Sequence, residues 1–213
     1  ASERSQALRH IALAQTYLQP QGRAGLVLTH GVSGSGKSHY ARQLAARSDV
    51  AEVHALARKP LQTGAKVHAH TFDLADEATI AAACATIGGP LDLVIVATGR
   101  LVRDNGDGPE KSWRALNADA MAEMFAINAI GPALIGKHCA PLLRKGGKPV
   151  FAAISAKVGS IADNRLGGWH SYRASKAALN MMVRNFAIGL GRSSPVAIAV
   201  TLQPVERTLT DAE

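Results

Sequence analysis

The sequence predicts an α/β fold: a single doubly wound, mostly parallel sheet with helices on both faces. Three observations carry this reading. Short apolar runs alternate with stretches of helical periodicity along the whole chain. Leu93-Val-Ile-Val-Ala97 is apolar without alternation, as a parallel strand covered on both faces must be. No repeat or low-complexity linker divides the 213 residues, a length that suits one such domain.

The elements follow in order. Residues 3–18 predict an amphipathic helix ended by Pro20 and Gly22, so residues 1–24 form a helix and lead-in before a Rossmann-like domain over 25–213. Leu26-Val-Leu-Thr-His30 is a short buried strand, followed by a glycine loop and a helix over about 37–46. Val53–Ala57 and 66–72 are the second and third strands. A helix over 76–87 opens with acids that suit its N-terminal dipole. After the strand at 93–97, a helix over about 119–143 is interrupted near Gly131-Pro132. Val150-Phe-Ala-Ala-Ile154 is the fifth strand, 171–190 a helix with apolar residues at helical spacing, and 196–200 the sixth strand.

Composition narrows the function classes. Hydrophobic residues at 47% and charged residues at 19% are ordinary globular values. No apolar run approaches the ~18 residues of a membrane span, and residues 1–20 lack a signal-peptide core. No membrane partner and a cytoplasmic location are therefore expected. Cys84 and Cys139 stand in Ala-rich helical stretches and are expected to be free, buried thiols, with no disulfide and no metal site. The net charge of +8 comes from scattered Lys and Arg, and aromatics are only 4%, too few for nucleic-acid stacking platforms. A basic surface also suits an anionic cofactor.

Two motifs carry chemistry. Gly31-Val-Ser-Gly34-Ser-Gly36-Lys37-Ser38 matches a P-loop. Its glycines let backbone N–H groups wrap an anion, Lys37 would reach β/γ-phosphates, and Ser38 would ligate magnesium, so the motif alone predicts ATP and Mg. The second is Tyr172-Arg-Ala-Ser-Lys176. Residues at i and i+4 share a helix face, and a nearby ammonium stabilises tyrosinate, pulling the phenol towards general acid–base range.

From about Val53 to Pro204 the chain resembles the short-chain dehydrogenase/reductase family, most closely its branch of C-factor-type and small carbonyl-reductase-like members. The resemblance implies an NADP- or NAD-dependent oxidoreductase acting on a small carbonyl or alcohol. Tyr172 matches the catalytic acid/base, and Lys176 the residue that lowers its pKa and binds the nicotinamide ribose. Asn128, in Phe125-Ala-Ile-Asn-Ala-Ile-Gly-Pro132, matches the asparagine that holds a proton-relay water. Asp73 and Leu74 match the adenine contact after the third strand, and Arg58 stands where a basic residue pairs with the 2′-phosphate of NADP. The substrate-polarising serine is Ser155, in a Ser155-Ala156 pair, or Ser160. Ala97-Thr98-Gly99 replaces the asparagine-rich turn after the fourth strand and still offers a close backbone approach to the cofactor; His170 is a pocket-wall residue. Pro204 matches the turn after the sixth strand, after which the chain stops short of the family's substrate-covering segment. Members pair through the helices bearing the asparagine and tyrosine, so a homo-oligomer is expected.

Residues 9–44 resemble instead the start of small P-loop kinases and ATPases. The strand Leu93–Ala97 ends in Thr98-Gly99 with no Walker B acid, and no arginine-rich lid follows. A P-loop without those partners binds phosphate but has little with which to catalyse its transfer. The glycines also stand out of register with the reductase pattern Thr-Gly-x-x-x-Gly-x-Gly. The expectation is thus a chimera: a P-loop-like unit over 25–48 joined near Ala45–Val53 to a reductase-like remainder over 49–213. Gly31, Gly34, Gly36, Lys37 and Ser38 then cradle a cofactor phosphate at the first helix. A P-loop ATPase and a catalytically weak reductase homologue are the alternatives.

Overall fold

The computed structural model describes residues 24–29, 41–42, 44–61, 64–193 and 198–202. Six strands form one parallel sheet: β1 (Ala24–Thr29), β2 (Val50–Ala57), β3 (Val67–Thr71), β4 (Leu93–Val96), β5 (Val150–Ile154) and β6 (Ile198–Leu202). Their order is β3-β2-β1-β4-β5-β6. Every neighbouring pair is parallel, β1 lying between β2 and β4. The strand order reverses at β1, so the crevice for a ligand opens at the carboxyl ends of β1 and β4.

The strands alternate their side chains between two apolar layers. Val53, Ala55, Leu93, Ile95, Val150 and Ala152 pack with Ala41 and Leu44, which are both helical. Leu56, Val94, Val96, Phe151 and Ala153 face the opposite layer. That layer is built by α1 (Glu77–Ile87), α3 (Gly131–Cys139) and α4 (His170–Ser193), with α2 (Ala118–Phe125) packed against α4. Local chemistry sets the helix starts. Asp76 caps α1 by accepting from the Ala78 N–H, and Asn117 caps α2 by accepting from the Ala120 N–H, each at 2.9 Å.

The stretch read as one interrupted helix over 119–143 is α2, a π turn at Ala126–Ile130, and α3, which ends at Cys139. Pro132 has no N–H to give the Asn128 carbonyl, the bond an α-helix requires there. The chain widens, and the Gly131 N–H reaches back to the Ala126 carbonyl. Gly131 also lets this helix approach β3: a Cβ there would stand 2.5 Å from Cδ2 of Leu74.

Other boundaries moved little. β2 begins at Val50, three residues before the sequence reading, and β6 ends at Leu202. Ala118–Leu142 is long and apolar enough by composition to cross a membrane, contrary to the sequence expectation. In this fold its Met124, Ile135 and Cys139 are core residues. The expected helix over 3–18 and the glycine loop lie outside the described residues.

Candidate active site

The carboxyl ends of the strands deliver most of the sequence-predicted residues that the structure describes. Arg58 follows β2, Asp73 and Leu74 follow β3, Ala97 to Gly99 follow β4, and Ser155 follows β5. Arg58, Asp73, Leu74 and Gly99 line one cleft of about 180 Å³, together with Ala75, Arg100, Asp104 and Ile127. The Asp73 carboxylate closes the turn into α1 by accepting from the Ala75 N–H at 2.9 Å. Ala97 is buried in the core below the cleft. Gly31, Gly34, Gly36, Lys37, Ser38 and Pro204, the remaining expected cofactor contacts, lie outside the described residues.

Tyr172 and Lys176 rise from the first turns of α4. Lys176 is 3% exposed, and its ammonium donates to the Ile154 carbonyl at 3.1 Å, at the end of β5. The ammonium also stands 5.9 Å from the centre of the Tyr172 ring, within cation–π range. Tyr172 is half-buried and borders a larger cavity of about 530 Å³, whose wall includes Arg103, Glu110, Asn117, Met124 and Ser171.

The entry to α4 is fixed by residues the sequence did not single out. Gly167, Gly168 and Trp169 have φ values of 64°, 63° and 52°. The first two positions suit glycine, whereas Trp169 carries a side chain in a conformation that costs roughly 1 kcal/mol or more. The Trp169 N–H donates to the Glu110 carbonyl at 2.5 Å. The Glu110 carboxylate accepts both the N–H and the hydroxyl of Ser171. Burial pushes that carboxyl up, but the Ser171 hydrogen bonds outweigh it and hold Glu110 below the usual carboxylate range. Nothing local in the sequence signals this partnership, because Glu110 and Ser171 are 61 residues apart.

Asn128 is fully buried at the π turn. Its Oδ1 accepts from the Arg100 N–H at 2.7 Å, and its Nδ2 donates to the Arg100 carbonyl at 2.9 Å and to Oγ of Ser175 at 3.1 Å. The amide therefore clamps the turn after β4 to α4. Both donor hydrogens go to protein atoms. Ser175 passes the connection on by donating to the Tyr172 carbonyl at 2.8 Å. Its position next to Lys176 in the motif was the available signal for it.

Two buried hydroxyls at this edge, Thr98 Oγ1 and Ser155 Oγ, make no hydrogen bond among the described residues. Buried polar atoms seldom stay unpaired, so a polar ligand fits here. Ser160 differs: its Oγ accepts from the Asp163 N–H at 3.3 Å. It shares a separate cavity of about 460 Å³ with His170 and Arg173. His170 thus lines that separate cavity and not the one that Tyr172 borders.

A parallel sheet with a tyrosine–lysine helix at its carboxyl edge defines a class of dinucleotide-using folds, and comparison with known proteins agrees. Residues 35–211 match the sequence model of the family described as short chain dehydrogenase. The chain belongs to that family. The match begins at residue 35, so residues 35–48 of the P-loop-like unit fall inside it. The C-signal protein of Myxococcus xanthus is 40% identical over 106 residues, which cover 48% of this chain and 58% of that protein. The chain thus spans less than two thirds of the length of this curated relative. The NADPH-bound carbonyl reductase from chicken fatty liver has a TM-score of 0.68 at 24% identity, covering 85% of this chain and 76% of that one. A Burkholderia multivorans short-chain dehydrogenase/reductase with bound NADP also has a TM-score of 0.68, at 25% identity, covering 83% of this chain and 77% of that one. These two structures share the fold.

Proposed function

We propose that the protein is an NADP- or NAD-dependent oxidoreductase that interconverts a small carbonyl compound and its alcohol, with Tyr172 as acid/base. The observation that carries the reading is the meeting of two features at one sheet edge. Tyr172 and the buried Lys176 share a helix face, and Gly99 brings the cleft of Arg58, Asp73 and Leu74 up to that lysine.

The residues present fit such a cofactor. Arg58 supplies a cation for a ribose phosphate, Asp73 and Leu74 border the adenine side, and Gly99 leaves backbone without a side chain next to Lys176. Bound there, a nicotinamide supplies or accepts the hydride. Tyr172 gives its phenolic proton to the carbonyl oxygen in reduction and takes it back in oxidation. The Lys176 ammonium favours the tyrosinate form. Ser155, whose hydroxyl has no partner among the described residues, orients the substrate oxygen in preference to Ser160. The Asn128 amide contributes by holding the turn after β4. In this reading Asn128 also holds the relay water near Lys176.

The loop Gly31, Gly34, Gly36, Lys37 and Ser38 serves as a phosphate cradle for the dinucleotide, and no second metal ligand in its sequence context favours ATP chemistry. Pro204 completes the site in this reading. Two copies pair through α3 and α4, which is supported by the exposed Met181 and Ile188 on α4 and by Ile130 beside α3.

Thermal-shift or fluorescence titration with NADPH, NADH and Mg·ATP on one sample tests the assignment. Saturable stabilisation by NADPH or NADH is the expected result. Tight Mg·ATP binding with no response to either nicotinamide cofactor overturns it.

A further inference from the structure

Cys84 and Cys139 come from different helices. Cys84 lies in the second half of α1, and Cys139 is the last residue of α3. Both are at most 3% exposed. Their sulfurs stand 3.0 Å apart. That is inside the roughly 3.5–4.0 Å at which unbonded heavy atoms attract best, and only about 1 Å longer than a disulfide bond. The surroundings, including Ile80, Ile87, Ile135 and Leu143, are apolar. The same two helices are held together by Glu77, which pairs with Lys137 and His138.

We infer that Cys84 and Cys139 are a redox pair that a peroxide converts into an internal disulfide, stapling α1 to α3. The two thiols are unequal. The hydrogen bond between the two sulfurs lowers the Cys84 thiol below its ordinary range and, with burial, pushes Cys139 up. Cys84, 3% exposed where Cys139 is 0%, is the sulfur the peroxide reaches first, and Cys139 is the resolving thiol. The Cys84 thiolate attacks one peroxide oxygen, the O–O bond breaks, and hydroxide leaves, taking a proton to become water. Cys84 is then a sulfenic acid. The Cys139 sulfur attacks the Cys84 sulfur, the S–O bond breaks, and the departing hydroxide takes the Cys139 proton as a second water. Each sulfur gives up one electron, and the peroxide takes two. The staple ties the helix that follows Asp73 to the helix that continues from the Asn128 turn. The inference does not depend on the proposed function.

The test uses the whole reduced protein, folded, with hydrogen peroxide at low molar excess, then denaturation in N-ethylmaleimide. The expected product has lost the mass of two hydrogens, carries no maleimide, and regains both thiols on reduction. Its tryptic digest contains peptide 67–100 joined to peptide 138–144. A protein still carrying two maleimides overturns the inference. So does one oxidised to sulfinic acid without a cross-link, or one joined between two chains. The Cys139→Ser variant adds a second reading: Cys84, without its resolving partner, accumulates as a sulfenic acid captured by dimedone. A Cys84 that stays unmodified by dimedone in the folded variant also overturns it.

Discussion

A methyl group at position 99 would stand 3.0 Å from Nζ of Lys176 and 3.6 Å from Oδ1 of Asn128. The turn after β4 thus lies directly beside the Lys176 ammonium, with no room for a side chain between them. Gly99→Ala displaces that ammonium by a few tenths of an ångström, while leaving the core untouched. The expected result is a melting temperature within a few degrees of the parent and a kcat/KM lower by about tenfold or more. Steady-state kinetics and a thermal melt on the same preparation check it.

Asn128→Ala should cost stability. It strips partners from the Arg100 backbone N–H and C=O and from the Ser175 hydroxyl, all tied to one buried amide. Unsatisfied buried groups of this kind cost about 2–4 kcal/mol in total. A fall in melting temperature of roughly 5–10 °C follows for a chain of this size. Calorimetry reads it directly.

Arg58→Ala is expected to raise the Kd for NADPH by about 10- to 100-fold, the worth of a charge-assisted hydrogen bond. The Kd for NADH should stay nearly constant. Equal losses for both cofactors would show that Arg58 does not read a 2′-phosphate. Competitive fluorescence titration separates the two outcomes.

The histidines between β2 and β3 set a pH dependence of stability. His54 is buried, its Nδ1 is 3.0 Å from Nε2 of His70, and its Nε2 stands 3.5 Å from Oε1 of Glu52. His68 stacks on His54, and Thr86 reaches His70 from α1. Burial first, then the neighbouring histidines, lowers both His54 and His70, while Glu52 partly offsets this for His54. A histidine with a depressed folded pKa favours the native state while neutral. Its stabilisation is present above the unfolded value of about 6.5 and is lost as pH falls through the lower folded value. The melting temperature should therefore drop progressively below about pH 6.5, before the carboxylates titrate. His70→Gln should flatten that part of the curve in a melt series.

Much of the fold was legible because its signals are local. The unbroken apolar run at β4, the Ala-rich helix capped by Asp76 and the Tyr172–Lys176 spacing all declare themselves within one or two turns of chain. The cleft was legible too, since Arg58, Asp73, Leu74 and Gly99 each follow a strand, and parallel strands bring their ends together. What stayed hidden depends on distant pairs or on hydrogen-bond register. The π turn leaves no mark in side-chain periodicity. The Asn128 side chain also bonds Arg100 and Ser175, partners that lie 28 and 47 residues away and leave no local signal. Glu110 and the sulfur pair meet their partners only through the fold.

Tyr172→Phe tests the central claim most directly. The variant keeps the ring next to Lys176 and removes only the phenolic oxygen. NADPH titration and single-turnover oxidation of NADPH by a panel of small aldehydes and ketones should be run together on the variant and the parent. The account predicts nearly unchanged NADPH affinity and a hydride-transfer rate lower by at least about 100-fold. Turnover at the parent rate in the variant would contradict it.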